Sequence, residues 1–456
     1  MEENIMGTMP VGRVLVKLSV PMMVSMLIQA MYNVVDSVFV SQVSEEALTS
    51  VSLAFSLQNM MIAVAVGTSI GVNAMLSKSL GEKDLHSANR AADNGIFLAV
   101  CSWLFFVVIG LFFLPTFFGA QTQDPVIYQG GVEYMFICCV FGLGQFVSIM
   151  MEKILGATGR THYSMICQAA GAITNIILDP LFIFGYFGEA VSGVRGAAIA
   201  TVLGQMVGAA IGIYFCLRKI PELEITLKGF KPSMPAISRI YAVGVPSIAM
   251  QCVGSVMVFG FNKILMGFSA TAVALFGIYF KLQSFCFMPV FGLNSGMIPI
   301  IGYNYGARKP RRVIHTVYWS MGIAVGILTL GMVTFQLMPQ QLLQLFNASE
   351  QMLSIGTVAL RIISLSFPLA AIAIVFCSGY QALGKGMYSL YMSLGRQLVV
   401  LLPVGWLLAR TGKLDLVWWA FPIAELVGVL VGLFCLWLVW KQILHPMIQE
   451  ETAAKQ

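Results

Sequence analysis

The stretch 95–118, GIFLAVCSWLFFVVIGLFFLPTFF, decides the fold. It runs from Gly95 to Phe118 without a charged side chain. At about 1.5 Å per residue, a helix of that length crosses the roughly 30 Å hydrocarbon layer of a bilayer. Strands that cross lipid alternate polar and apolar residues, and that alternation is missing here. A lone apolar segment satisfies its own backbone N–H and C=O groups in lipid only as a helix. The signature recurs near 14–40, 48–76, 131–155, 163–187 and 194–217, and again near 239–266, 272–301, 314–338, 354–379, 388–410 and 414–440. An all-α integral membrane protein with twelve transmembrane helices is expected.

Composition excludes the other broad classes. Of 456 residues, 58% are hydrophobic and only 10% charged, with a mean hydropathy of +0.85. A soluble domain carries about 25% charged residues. A soluble enzyme, a nucleic-acid-binding protein and a disordered chain are therefore ruled out. The nine cysteines all fall inside apolar runs, without metal-ligand spacing to histidine, and read as small buried hydrophobes. The four histidines fall in polar connections, leaving no imidazole at membrane depth for proton relay. The segment before Val14 is polar and lacks a short apolar core, so no cleaved leader is expected.

Basic residues set the orientation. One set of alternate connections holds Arg13, Lys17, Lys78, Lys83, Arg90, Lys153, Arg160, Arg218 and Lys219, followed by Lys228, Lys231, Arg239, Arg308, Lys309, Arg311, Arg312 and Lys441. The opposite set offers Arg195, Arg410 and Lys413. By the positive-inside rule the basic side and both termini are cytoplasmic.

The halves repeat at a constant offset in the numbering, set by Pro21 falling on Pro246. Phe55, Leu57 and Gln58 match Phe280, Leu282 and Gln283; Gly67, Gly71 and Gly81 match Gly292, Gly296 and Gly306. Gly159, Tyr163 and Ser164 match Gly384, Tyr388 and Ser389. Glycine and proline punctuate helices, so their recurrence carries the argument. Six spans per half is an even number, so the two repeats are parallel, the architecture of a transporter with a central path. The expected division is a tail at 1–13, an N-lobe at 14–217, a linker at 218–238, a C-lobe at 239–440 and a tail at 441–456.

Two carboxylates lie deep in the N-terminal half, Asp36 in the first span and Asp179 in the fifth. A carboxylate at bilayer depth costs about 2.5 kcal/mol or more, which makes each a functional candidate. Counting inward from the span ends puts both in the outer layer of the membrane, level with Thr201 of the sixth span. Gln29, Asn33 and Asp36 share one helix face, as do Gln168, Asn175 and Asp179. Pro180 removes a backbone hydrogen bond beside Asp179. Asn59 with Asn73 in the second span, and Thr201 with Gln205 in the sixth, extend a polar seam. Two neighbouring carboxylates at low dielectric do not both carry a free charge; such a pair holds a proton or a monovalent cation.

The C-terminal half differs. Phe261 stands at the position that matches Asp36. Its deepest ionisable groups are Lys263, Lys281, Arg361 and Arg396; Lys263 and Arg361 are expected to snorkel outward. Gln251 and Ser255 share a face that could line a cavity, and Lys281 could add a fixed positive charge. Glu152 and Glu425 are placed near span ends, facing water or a lysine. Gly379 to Lys385 fits GxxxxGK, but Gly386 replaces the Ser or Thr that would hold magnesium, and a membrane helix precedes it where a strand is required. No ATP site is expected, so energy comes from an ion gradient or from the substrate.

Four segments now carry a resemblance: Pro21 with Asn33-Val34-Val35-Asp36, Asn175-Ile176-Ile177-Leu178-Asp179-Pro180, Gly196-Ala197-Ala198-Ile199-Ala200-Thr201, and Gly302-Tyr303-Asn304-Tyr305-Gly306-Ala307 before a basic run. With the twelve spans, over 14–440, they resemble the multidrug and toxic compound extrusion (MATE) family, in its bacterial MepA-like branch. The resemblance implies a non-enzymatic efflux antiporter of the bacterial inner membrane. It would export cationic or amphipathic organic compounds in exchange for Na⁺ or H⁺, with no resident cofactor. The coupling site would be Asp36, Asn175, Asp179 and Thr201, which would also hold Na⁺ if sodium is the ion. Gln29, Asn33, Asn59, Gln168, Gln205, Gln251, Ser255 and Lys281 are the substrate-cavity candidates. Some members carry acids in spans seven and ten, where this chain has Gln251 and no acid. The alternative is a lipid-linked oligosaccharide flippase of the same wider superfamily, which would need a strongly cationic cavity; Lys281 and Arg396 fall short of one.

Overall fold

The computed structural model describes residues 4–186, 188, 192–225, 230–346 and 348–453, without the side chains of residues 33, 37, 38, 41 and 45. Among the described residues every regular element is helical. The spans of the first half are α1 (Val11–Ser41), α2 (Glu45–Gly81), α3 (Leu85–Phe112), the pair α4 (Pro125–Val140) and α5 (Leu143–Ala157), α6 (Thr161–Ile183) and α7 (Gly193–Lys219). Those of the second half are α8 (Met234–Met266), α9 (Ala270–Gly306), α10 (Pro310–Leu337), the pair α11 (Glu350–Ser364) and α12 (Phe367–Ala382), α13 (Gly386–Ala409) and α14 (Ala420–Val439). Among the described residues ten helices are long and apolar enough to cross a membrane, and twelve spans result when each bent pair counts as one.

The two bent pairs fall at equivalent places in the repeat. α4 and α5 meet at 49° and α11 and α12 at 47°. At the first break Gly142 comes so close to the Cys138 carbonyl that an added Cβ would lie 2.2 Å from its oxygen. At the second, Pro368 opens α12 and supplies no N–H to the preceding turn.

Two compact units form, Val24–Ile248 and Met1–Met23 with Ala249–Gln456. They differ from the sequence halves 14–217 and 239–440 by an exchange of the opening segments of α1 and α8. The repeated glycines explain the exchange. In the first unit a Cβ on Gly71 would sit 2.2 Å from Ile240 O, and one on Gly67 2.8 Å from Ile248 N. In the second, a Cβ on Gly292 would sit 2.6 Å from Met23 N, and one on Gly296 2.8 Å from Ser19 N. Without hydrophobic driving force in lipid, such close backbone approach is what holds helices together. Ser19 Oγ adds a hydrogen bond to Leu293 O at 3.2 Å.

α3 shows how a span is sided when lipid is the solvent. Ala91, Ala92, Gly95, Leu98 and Ala99 turn inward with Phe106, while Phe105, Val108 and Phe112 are exposed. Both faces are apolar; the inward one is small. A Cβ on Gly95 would meet Val72 of α2 at 2.9 Å.

Candidate functional site

The site is built on the α6–α7 interface of the Val24–Ile248 unit. Gly171 of α6 and Gly204 of α7 face each other so closely that a Cβ on Gly204 would sit 2.7 Å from Gly171 O. Gly208 repeats the contact one turn on, 3.2 Å from Cys167 O. This approach presses Asn175 of α6 against Thr201 of α7. Asn175, Asp179 and Thr201 are all buried, Asp179 completely. With its carbonyl accepting from Thr201 N at 3.0 Å, the Asn175 amide donates to Asp179 Oδ2 at 2.8 Å. That orientation turns a donor toward the acid, whereas the reverse would set two oxygens against each other.

α1 brings the second acid. The side chains of Asp36 and Asp179 come within hydrogen-bonding reach of each other, and Asp36 Oδ1 is buried without a protein partner. A hydrogen bond between two carboxyl groups requires a proton on one of them; without it, a cation must lie between. The oxygens at hand are those of carboxyl and hydroxyl groups, the hard ligands that suit a proton or an alkali cation. The orphaned Asp36 Oδ1 is the atom such a cation would take. Among the described residues no cluster of three His, Cys, Asp or Glu offers a transition-metal site.

Sequence reading overlooked two tyrosines. Tyr32, one turn before Asp36, comes within reach of the Thr201 side chain. Tyr134 of α4 is buried near Gln58 of α2 and within electrostatic reach of Asp36. The i, i+4 spacing of Tyr32 and Asp36 was a usable signal; Tyr134 had none.

Of the cavity candidates, Gln168 Nε2 donates to Gln29 Oε1 at 2.7 Å, bracing α6 to α1 below the acids. These two amides spend part of their capacity on each other, leaving Gln168 Oε1 without a partner. Asn59 and Gln205 are half-buried in the same unit. The Asn33 side chain lies outside the described residues. Gln251, half-buried, and Ser255 and Lys281, exposed, belong to the other compact unit.

One expectation is corrected. Glu425 faces neither water nor a lysine: it lies well inside the Leu414–Ala453 span and accepts both bonds from Arg396 Nη1, at 2.7 and 2.9 Å. The two side chains are only 15% and 19% exposed. Arg396 sits on a π-helical turn, Gly395–Leu401, within α13. Gly428, one turn beyond Glu425, makes room for it; a Cβ there would be 2.9 Å from Arg396 Cδ. Opposite charges in consecutive apolar spans were the available signal, since buried ions in lipid seek each other.

The model of the MatE family matches residues 21–181 and again 246–407, two copies that open on the repeat-related prolines Pro21 and Pro246. The chain belongs to the MatE family. The MatE matches include Asp36, Asn175, Asp179 and Arg396, and stop short of Thr201 and Glu425. The multidrug export protein MepA of Staphylococcus aureus is 26% identical over 439 residues, covering 94% of each chain. An FAD transporter of Shewanella oneidensis is 26% identical over 447 residues, covering 96% of each. A crystal structure of a MATE protein in complex with MaL6 superposes with a TM-score of 0.90 at 25% identity, covering 97% of this chain and all of that one. A MOP-superfamily transporter from Pyrococcus furiosus reaches 0.87, also at 25% identity, over 94% of this chain and 97% of that one. The all-α, multi-span MatE architecture is thus established, and with it a membrane transporter of the family that includes multidrug exporters.

Proposed function

We propose that the chain is an efflux antiporter that exports cationic or amphipathic organic compounds in exchange for H⁺ or Na⁺ by alternating access, without ATP. The observation that carries this reading is the Asp36–Asp179 pair, two acids within hydrogen-bonding reach of each other with Asp36 Oδ1 unpaired. Such a pair takes one monocation at a time, and Asn175, Thr201 and Tyr32 fix its shape. Export follows if the coupling ion and the cationic substrate compete for these carboxylates and the two access states bind them with different affinities. Asn59 and Gln205 are the substrate-contacting candidates of this unit, and Gln251, Ser255 and Lys281 those of the other. The basic connections and both termini are assigned to the cytoplasm of a bacterial cell.

The flippase alternative needs a strongly cationic cavity for a pyrophosphate. Arg396 is neutralised by Glu425, which leaves Lys281 as the exposed base among the candidates. The test is dye efflux by purified protein in liposomes under separately imposed Na⁺ and pH gradients. One gradient should drive an organic cation out, and Asp36→Asn or Asp179→Asn should abolish that drive. Full gradient-driven export by both variants would refute the assignment.

A further inference from the structure

We infer that the groove between the openings of α1 and α10 is a binding site for an anionic phospholipid. It lies within the second compact unit, has a volume of about 780 Å³, and its wall carries Arg13, Lys17, Arg312 and His315 with no acid among them. Arg312 is already committed. It donates to Met6 O at 2.9 Å, Met9 O at 2.6 Å and Asn304 Oδ1 at 2.9 Å, while Lys309 holds Gly7 O at 3.1 Å. These bonds pin the segment leading into α1 against α10, so the groove is preformed. Arg13 and Lys17, by contrast, make no ion pair among the described residues and are open to solvent at its mouth. Their charge is available to a ligand.

The floor identifies the occupant as a lipid. From His315 it follows one face of α10 through Trp319 and Ile323, and a second hollow of about 310 Å³ continues beside Tyr318, Trp319 and Gly322. Added Cβ atoms at Gly322 or Gly326, on the same face, would meet nothing within 4 Å. A soluble anion has no use for an apolar channel that runs along a membrane span, whereas an acyl chain does. Basic side chains over an apolar floor, with an aromatic side chain at the boundary, form the pattern by which membrane helices hold anionic headgroups. Only the assignment to the cytoplasmic leaflet rests on the orientation proposed above; lipid selectivity does not.

Native mass spectrometry of the full chain, titrated with phosphatidylglycerol or phosphatidylcholine of identical acyl chains, tests the proposal. Each cation near a membrane surface is worth about fivefold, so Arg13→Gln with Lys17→Gln should cut the preference for phosphatidylglycerol by roughly thirtyfold. Arg308→Gln with Arg311→Gln removes the same charge from exposed sites paired with Glu450 and Glu451, and should change it less than about twofold. Gly322→Leu fills the apolar floor without touching a charge and should also reduce lipid occupancy. Equal losses in both double variants would overturn the site. So would an unaffected Gly322→Leu protein whose binding is displaced by inorganic phosphate, since that describes a site for free phosphate. Lipid occupancy is read without transport, so failure of the antiport reading leaves this result intact.

Discussion

The two helix pairs that close each repeat, α6 with α7 and α13 with α14, solve the same packing problem with opposite chemistry. With the offset one residue shorter in the last span, Gly204 and Gly208 of α7 correspond to Gly428 and Gly432 of α14, which puts Glu425 in the place of Thr201. Counting on from Tyr163–Ser164 and Tyr388–Ser389, Gly171 corresponds to Arg396. In the first pair Gly204 packs on Gly171; in the second Gly428 packs on the side chain of Arg396. One interface therefore carries an acid neutralised by a base on the neighbouring helix. The other carries neutral Thr201 beside two acids that pair with each other and with neutral donors. A buried acid with a built-in base is locked, whereas an acid paired with an acid must take its countercharge from outside. On the function proposed above, that difference is the reason the coupling ion is assigned to the first unit.

The largest effect should come from breaking the locked pair. Glu425→Gln leaves Arg396 buried and uncompensated, a loss of about 3–5 kcal/mol. Replacing both with leucine should restore thermal stability in lipid nanodiscs to wild-type or better. If the single variant melts like wild type, the pair is not buried in lipid as described.

In the other unit the balance should invert. Asp36→Asn and Asp179→Asn keep a hydrogen-bonding group and remove a shared charge, so the melting point should barely move. Gradient stimulation of efflux should nevertheless be lost, because the coupling free energy goes with the charge. A large drop in stability without loss of coupling would make the acids structural glue.

Close packing sharpens the contrast further. Gly204→Ala drives a methyl group into the Gly171 backbone, an overpacking cost of about 1–3 kcal/mol. Gly428→Ala meets only the flexible Arg396 side chain and should cost less. Equal melting points for the two alanine variants would show that α6 and α7 are not in backbone contact.

The smallest effect concerns a carboxylate outside the membrane. Asp84 caps α3, accepting from Ser87 N at 3.0 Å, and its bonds with Ser87 hold its pKa below the usual carboxylate range. A lowered folded-state pKa stabilises above the unfolded value of about 3.9 and fades as pH falls through the folded one. Asp84→Ala should therefore cost about 1 kcal/mol or less near pH 7 and nothing in strong acid. The corresponding residue of the second repeat is Lys309, which donates to the Gly7 carbonyl instead of capping a helix start.

Much of this protein was legible before any helix was placed in space. Uncharged runs such as 95–118 require membrane helices, because lipid leaves a backbone no other partner. Glycines and prolines recurring at one fixed offset announce the repeat, and Asp36 and Asp179 declare themselves by their cost. These are local properties, carried by single residues or single spans. What only the tertiary structure decided is which helix meets which. Gly67 and Gly71 mark a repeat in sequence, yet in space they receive the opening of α8, so the compact units exchange segments. Glu425 looks like a span-end acid until Arg396 is seen beside it, and Tyr32 looks like any apolar-face tyrosine until it reaches Thr201. In lipid, where apolar surfaces are interchangeable, pairing is set by close fit and by buried polar contacts between distant residues, and neither is written along a single helix.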